Sequence, residues 1–244
     1  MKRLLLALAL AFGTVLPANA VEPLVADLSK HLVAITTGFA GTDVLLFGAV
    51  EGEGDVVVVV RGPQRDEVVR RKDQAAGIWI NSGSAKIRDV PSFYMVASTK
   101  PVEELAPVSV LDRHQIGLEH LNIEVELSDS GIDHAQYRDA LIRLKQKKGL
   151  YGTKERPIGL LSHRLFRTDL HFPANVPVGT YLVEVYLIAD GEVLSAQTTP
   201  LVISKIGVGA DVFDFAHQRA AIYGLIAIAL AASAGWLAAV AFKK

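Results

Sequence analysis

The sequence predicts a mainly β protein: a two-sheet sandwich with a helical insertion, followed by one C-terminal transmembrane helix. Three observations carry this. Short runs of β-branched and apolar residues, separated by Gly, Pro or Asp, recur over 24–98 and again over 163–203. Between them, over about 101–150, the strand alternation gives way to helical spacing. Finally, 220–242 runs for 23 residues without a charge. At 1.5 Å rise per residue such a helix reaches roughly 35 Å, enough to cross a hydrocarbon core of about 30 Å.

Composition narrows the function classes. The chain has 244 residues, 25 basic and 26 acidic side chains and no Cys. Near-neutral net charge gives no electrostatic reason for a nucleic-acid partner. The lack of Cys excludes disulfides, thiolate catalysis and Cys-ligated metal centres. With only two Met, a Met-rich copper site has no basis either. The fold must rest on its own core, which about 195 residues between the apolar ends can supply.

In chain order, Met1-Lys2-Arg3 is a basic start, an apolar run follows, and Pro17-Ala18-Asn19-Ala20 ends it with small residues where a signal peptidase cuts. We read 1–20 as an export signal. Residues from 21 to the linker then lie in a bacterial periplasm, 220–242 spans the inner membrane, and the tail 243–244, Lys243-Lys244, is cytoplasmic, as positive-inside bias prefers.

The region 21–100 is the first β-rich part, with strands expected at 24–28, 32–36, 43–50, 55–61, 67–71, 77–80 and 93–98. Val56 to Val60 is an unbroken valine run, which a strand tolerates only when both faces are covered, so it belongs at the centre of a sheet. Trp79 reads as a core aromatic, and Asn81-Ser82-Gly83-Ser84 as a turn. In the insertion 101–150, short helices are expected at 102–105 and 109–115, a strand at 122–127, and a longer helix at 130–149. Asp133 caps that helix, with Tyr137, Leu141 and Leu144 on its buried face. Lys145, Lys147 and Lys148 read as helix-end cations that also aid solubility.

The second β-rich region, 151–206, opens with a strand at 163–172 whose even positions, among them Phe166, Leu170 and Phe172, form the buried face. Strands at 180–189 and 193–203 flank Asp190-Gly191, a hairpin turn. Residues 207–219 form the juxtamembrane linker.

No catalytic, nucleotide or cofactor motif emerges, and we expect no enzyme. His163, Asp169 and His171 fall on one strand face, but two or three such residues on a polar face read as solvated surface rather than a metal site. Arg61, Arg65, Arg70, Arg71 and Lys72 are the most informative charges. If their two strands pair, the side chains gather at one rim. Such a rim either protects a sheet edge from aggregation or holds a small oxyanion such as sulfite or a sulfonate. In the terminal helix Ala227, Ala231, Gly235 and Ala239 recur every four residues, a stripe that serves either a plain tether or close packing of another membrane helix.

The runs Ile35-Thr36-Thr37-Gly38-Phe39, Leu45-Leu46-Phe47-Gly48-Ala49, Val59-Val60-Arg61-Gly62-Pro63, Gly77-Ile78-Trp79-Ile80-Asn81 and Phe93-Tyr94-Met95-Val96-Ala97-Ser98 jointly resemble the alphaproteobacterial putative transmembrane protein family. So do Arg70-Arg71-Lys72 and Phe172-Pro173-Ala174-Asn175 with Val178-Gly179-Thr180-Tyr181. The resemblance implies an exported domain with a C-terminal anchor and supplies no catalytic residues. By association it suggests a transport accessory role beside a sulfite-exporter-type permease. The Gly179-Thr180-Tyr181 start of an alternating strand is also similar to immunoglobulin-like envelope modules, a fold analogy without functional content. The function expected is therefore a non-enzymatic accessory or assembly subunit of an inner-membrane complex, its partners being the lipid bilayer and an integral membrane protein such as a permease. The alternative is a periplasmic small-anion sensor or binding domain using Arg61, Arg70, Arg71 and Lys72.

Overall fold

A computed structural model describes residues 23–75, 77–127, 134–162, 164–207, 212 and 215–242. The export signal at 1–20, Asp133, His163, most of the 208–214 stretch and Lys243-Lys244 lie outside the described residues.

Two sheets make the sandwich. The first orders β1 (Leu24–Leu28), β3 (Gly41–Val50), β11 (Leu165–Pro173) and β10 (Gly159–Leu161) as β1-β3-β11-β10. The second contains β2 (Leu32–Ile35), β13 (Glu192–Lys205), β12 (Gly179–Ala189), β4 (Asp55–Arg61), β7 (Tyr94–Ser98) and β9 (Arg156–Pro157), ordered β2-β13-β12-β4-β7-β9. Strands from before and after the insertion pair directly, β3 with β11 and β4 with β12, so the two β-rich parts of the sequence close one sandwich.

Valine at every position from Val56 to Val60 is explained by where β4 sits, between β12 and β7, with all five residues fully buried. Val56, Val58 and Val60 share a face with Leu187, Val185 and Val183 opposite them on β12, and that face looks into the sandwich. Val57, Val59 and Arg61 point the other way, beside Tyr186 and Glu184. After α1 (Val102–Leu105), the end of α2 (Val108–His114) packs on this outer face, and the 3₁₀ turn Leu118–His120 follows. His114 meets the Tyr186 ring edge-on at 5.4 Å, and the Tyr94 hydroxyl donates to the Gln115 carbonyl at 2.8 Å. Gln115 ends α2 in the left-handed region, φ 51°.

The expected faces of β11 are observed: Phe166, Thr168, Leu170 and Phe172 are buried while Leu165, Arg167, Asp169 and His171 are exposed. The β12–β13 hairpin turns at Asp190-Gly191, both at positive φ, 52° and 78°.

A third sheet departs most from expectation. β5 (Gln64–Ala75) and β6 (Ile78–Pro91) form a hairpin of 12- and 14-residue strands, joined along part of its length by β8 (Glu124–Leu127). Asn81-Ser82-Gly83-Ser84 is therefore strand, not turn, and the chain reverses instead between Ala75 and Ile78. Turn-type composition misleads here because a register shift between Arg71 and Lys72 absorbs the irregular residues inside the ladder. Trp79 is not a core aromatic: it is 66% exposed near the hairpin tip.

Against the hairpin packs α3 (His134–Lys147), through Tyr137 and Leu141. Leu144, expected to be buried, is 48% exposed, and Lys145 takes the inward place one step later, 6% exposed. The i, i+4, i+8 row 137-141-145 is the one that meets the sheet, because a lysine here has a carboxylate to meet. Its ammonium pairs with Glu67 of β5. Lys145 is thus a docking residue as well as a cation of the last helical turn, where Lys147 joins it.

The terminal helix α4 (Ala220–Ala241) has no buried residue and is long and apolar enough to cross a membrane. Ala227, Ala231, Gly235 and Ala239 all lie on it exposed, and a side chain added at Gly235 would meet nothing within 4 Å.

Candidate functional site

The strands carrying Arg61 and Arg70 do not pair. β4 lies in the sandwich and β5 in the third sheet, because five consecutive valines need cover on both faces whereas the polar β5 does not. The expected single rim is accordingly divided.

Arg61 is held within the fold. Its guanidinium pairs with Glu184 across the sheet, and Nη2 donates to the carbonyls of His114 at 2.6 Å and Gln115 at 3.2 Å. The neighbouring Tyr94 hydroxyl donates to the same Gln115 carbonyl and accepts from the Gly117 N–H at 2.8 Å. Burial pushes the Tyr94 phenol up to about 12, against the smaller opposing effects of the Gly117 N–H and the Arg61 charge. Arg61 therefore locks α2 onto the outer face of β4, using donors that an anion would otherwise claim. A polar cavity of about 650 Å³ opens beside it, lined among others by Arg61, Arg88, Arg113, Glu124 and Glu184, where acids and bases alternate. Arg65 donates from Nη2 to the Val178 carbonyl at 3.0 Å and ties the base of β5 to the sandwich.

Arg70 and Arg71 come together elsewhere, in a cleft of about 520 Å³ between β5 and α3 whose lining also includes Tyr137, Asp139 and Arg143. Three arginines and one acid, Asp139, belong to its lining, with Arg71 on the same strand face as Glu67 and Val69 and Arg70 on the opposite one. Arg143 was not legible as a site residue because only tertiary packing sets its helix beside β5; in sequence it is one of several helix cations. Lys72 is exposed next to this cleft but does not line it. Arg71 also pairs with Asp73, Nε to Oδ1 at 3.2 Å. A hydrogen bond from Ser82, and then the Arg71 charge, hold the Asp73 carboxyl below the usual carboxylate range.

Three of the described histidines each lie beside one acid, His31 next to Asp27. His171 Nδ1 lies 2.7 Å from Asp43 directly across the β3–β11 ladder, and His120 Nδ1 lies 2.6 Å from Asp112. Among the described residues no group of three or more His, Asp or Glu is arranged to hold a metal ion.

Taken together, a mainly β domain of interleaved sheets and, among the described residues, one apolar helix with no buried residue define a mainly β protein with one candidate membrane helix. The family model described as "Putative transmembrane protein (Alph_Pro_TM)" matches residues 23–244, and the chain belongs to that alphaproteobacterial family. No curated protein matches it.

Proposed function

We propose that the protein is a non-enzymatic accessory or assembly subunit of an inner-membrane complex. The leader exports it, the β domain works in the periplasm, α4 holds it in the bilayer, and the C-terminus stays in the cytoplasm. The observation that carries this reading is α4 itself: 22 residues with none buried, attached to a folded domain that makes no use of them for its core. In lipid every backbone group of such a helix is satisfied internally, so the segment is stable as a span. An integral partner such as a permease, suggested by the family resemblance, would meet either this helix or the domain it tethers. Affinity capture of the full chain from solubilised membranes, followed by mass spectrometry, tests the reading. A reproducible integral-membrane partner supports it, and recovery of the chain alone counts against it. A reporter behind Lys244 that is reached from the periplasm would overturn the orientation.

A second reading, a small-anion binding domain, is favoured by one observation, the presence of Arg70, Arg71 and Arg143 in the lining of the β5–α3 cleft. Titration with sulfite, sulfate and sulfonates decides it. Saturable binding lost in Arg70→Ala and Arg143→Ala, but kept in Arg61→Lys, is the expected pattern, and the absence of saturation rejects the reading.

A further inference from the structure

The distal half of the β5–β6 hairpin is the least self-sufficient part of the domain. β8 pairs with β6 only over Ala85–Arg88, so Arg70–Ala75 and Ile78–Ser84 continue outward as a two-stranded ribbon. Five residue steps at about 3.4 Å give a projection of roughly 17 Å. Two-stranded ribbons are marginal in water, and this one places its apolar residues where water is most accessible. Ile78 is 68% exposed, Trp79 66% and Ile80 48%.

The arrangement of these three side chains matters more than their number. Ile78 and Ile80 point to one face of the ribbon and Trp79 to the other, as strand alternation requires. A protein partner laid against the ribbon would cover one face and leave the other wet. End-on insertion into an apolar medium covers both. Three residue steps behind the tip, about 10 Å, comes Lys72, paired with Asn81, and then Arg71 and Arg70, all exposed. The one acid of this stretch, Asp73, pairs with Arg71, so the stretch keeps a net positive charge, carried by Arg70 and Lys72 with the remaining donors of Arg71. An apolar tip with a tryptophan, backed at that distance by a basic collar, matches the profile of an acyl boundary and its phosphate layer.

We propose that the β5–β6 hairpin is a second membrane contact: Ile78, Trp79 and Ile80 insert into the interface of an anionic bilayer while Arg70, Arg71 and Lys72 meet lipid phosphates. The proposal rests on the reading that α4 anchors the chain in that same bilayer. Fourteen residues, 206–219, separate β13 from α4, so the tether keeps the domain near the membrane surface and makes the second contact effectively intramolecular. The ribbon would then hold the tethered domain in one orientation, presenting a fixed face to a membrane partner.

Trp79 and Trp236 are the two tryptophans of the chain, and Trp236 lies in α4, so Trp236→Phe leaves Trp79 as a single reporter. The full chain carrying Trp236→Phe is reconstituted into phosphatidylcholine vesicles with and without phosphatidylglycerol, and flotation first reports the anchor. The expected result is a blue-shifted Trp79 emission that is quenched by lipids brominated on the acyl chain and protected from acrylamide. Quenching should be stronger with phosphatidylglycerol and weakened by Arg71→Glu/Lys72→Glu. A chain that fails to float sinks the anchor and the hairpin contact together. A floating chain with water-like, acrylamide-accessible Trp79 sinks the hairpin contact alone. Protection from acrylamide without quenching by brominated lipid means that a second copy covers the tip, which also overturns the proposal.

Discussion

The side chain of Gln197 satisfies both backbone groups of Ala26: its Oε1 accepts from the Ala26 N–H at 2.7 Å, and its Nε2 donates to the Ala26 carbonyl at 2.9 Å. β1 is an edge strand, and Gln197 points inward from β13 of the facing sheet, so one amide side chain seals an open edge and joins the two layers. Replacing Gln197 with Met keeps the volume and leaves two part-buried backbone groups unpaired. The expected loss is about 1–3 kcal/mol. It should be read as a lower urea midpoint with an unchanged slope, whereas a neutral Gln197→Met would show that water replaces the amide without penalty.

Glu67 and Lys145 form an asymmetric pair, since Lys145 is nearly buried and the Glu67 side chain is about one-third exposed, 36%. Removing the acid strands a cation inside the protein, while removing the lysine leaves a carboxylate that water can still reach. Glu67→Leu should therefore cost about 2–4 kcal/mol and Lys145→Met distinctly less. Equal costs in thermal or denaturant unfolding would mean that the pair is solvated throughout.

Arg61 and Glu184 are both less than one-fifth exposed, 18% and 19%. Arg61→Met leaves Glu184 without its cation and frees the carbonyls of His114 and Gln115. The loss should be about 2–4 kcal/mol, and it should loosen α2 first. Amide exchange would show this as faster exchange over 108–117 than over β4. Uniform exchange across both segments would contradict the lock.

Tyr94, Tyr151 and Tyr181 are held protonated by burial, Tyr94 to about 12 and the other two higher still. The unfolded chain loses these protons near pH 10. Their contribution is therefore complete below that pH and declines as the pH rises through the folded values, where the unfolded state binds fewer protons. A stability profile should be flat through neutrality on this account and fall steadily above about pH 10. Tyr151→Phe, which also removes a 2.7 Å hydrogen bond to the Pro91 carbonyl, should shallow that fall while lowering stability at neutral pH. An identical alkaline slope in the variant would exclude Tyr151 as a contributor.

What the chain alone determined is local. The valines of β4, the alternation of β11, the Asp190-Gly191 turn and the apolar run of α4 each state their environment by periodicity or length, because neighbours along the chain share one face or one medium. Tertiary structure decided everything that depends on a partner distant in sequence. It parted Arg61 from Arg70 by sending β4 and β5 to different sheets, brought Arg143 to the latter, turned Lys145 inward to Glu67, and carried Trp79 out on a ribbon instead of into the core. The physical reason is that residue type sets how much a side chain gains from burial or pairing, while strand order sets whether the opportunity exists, and strand order is a contest among long-range pairings that no single segment encodes.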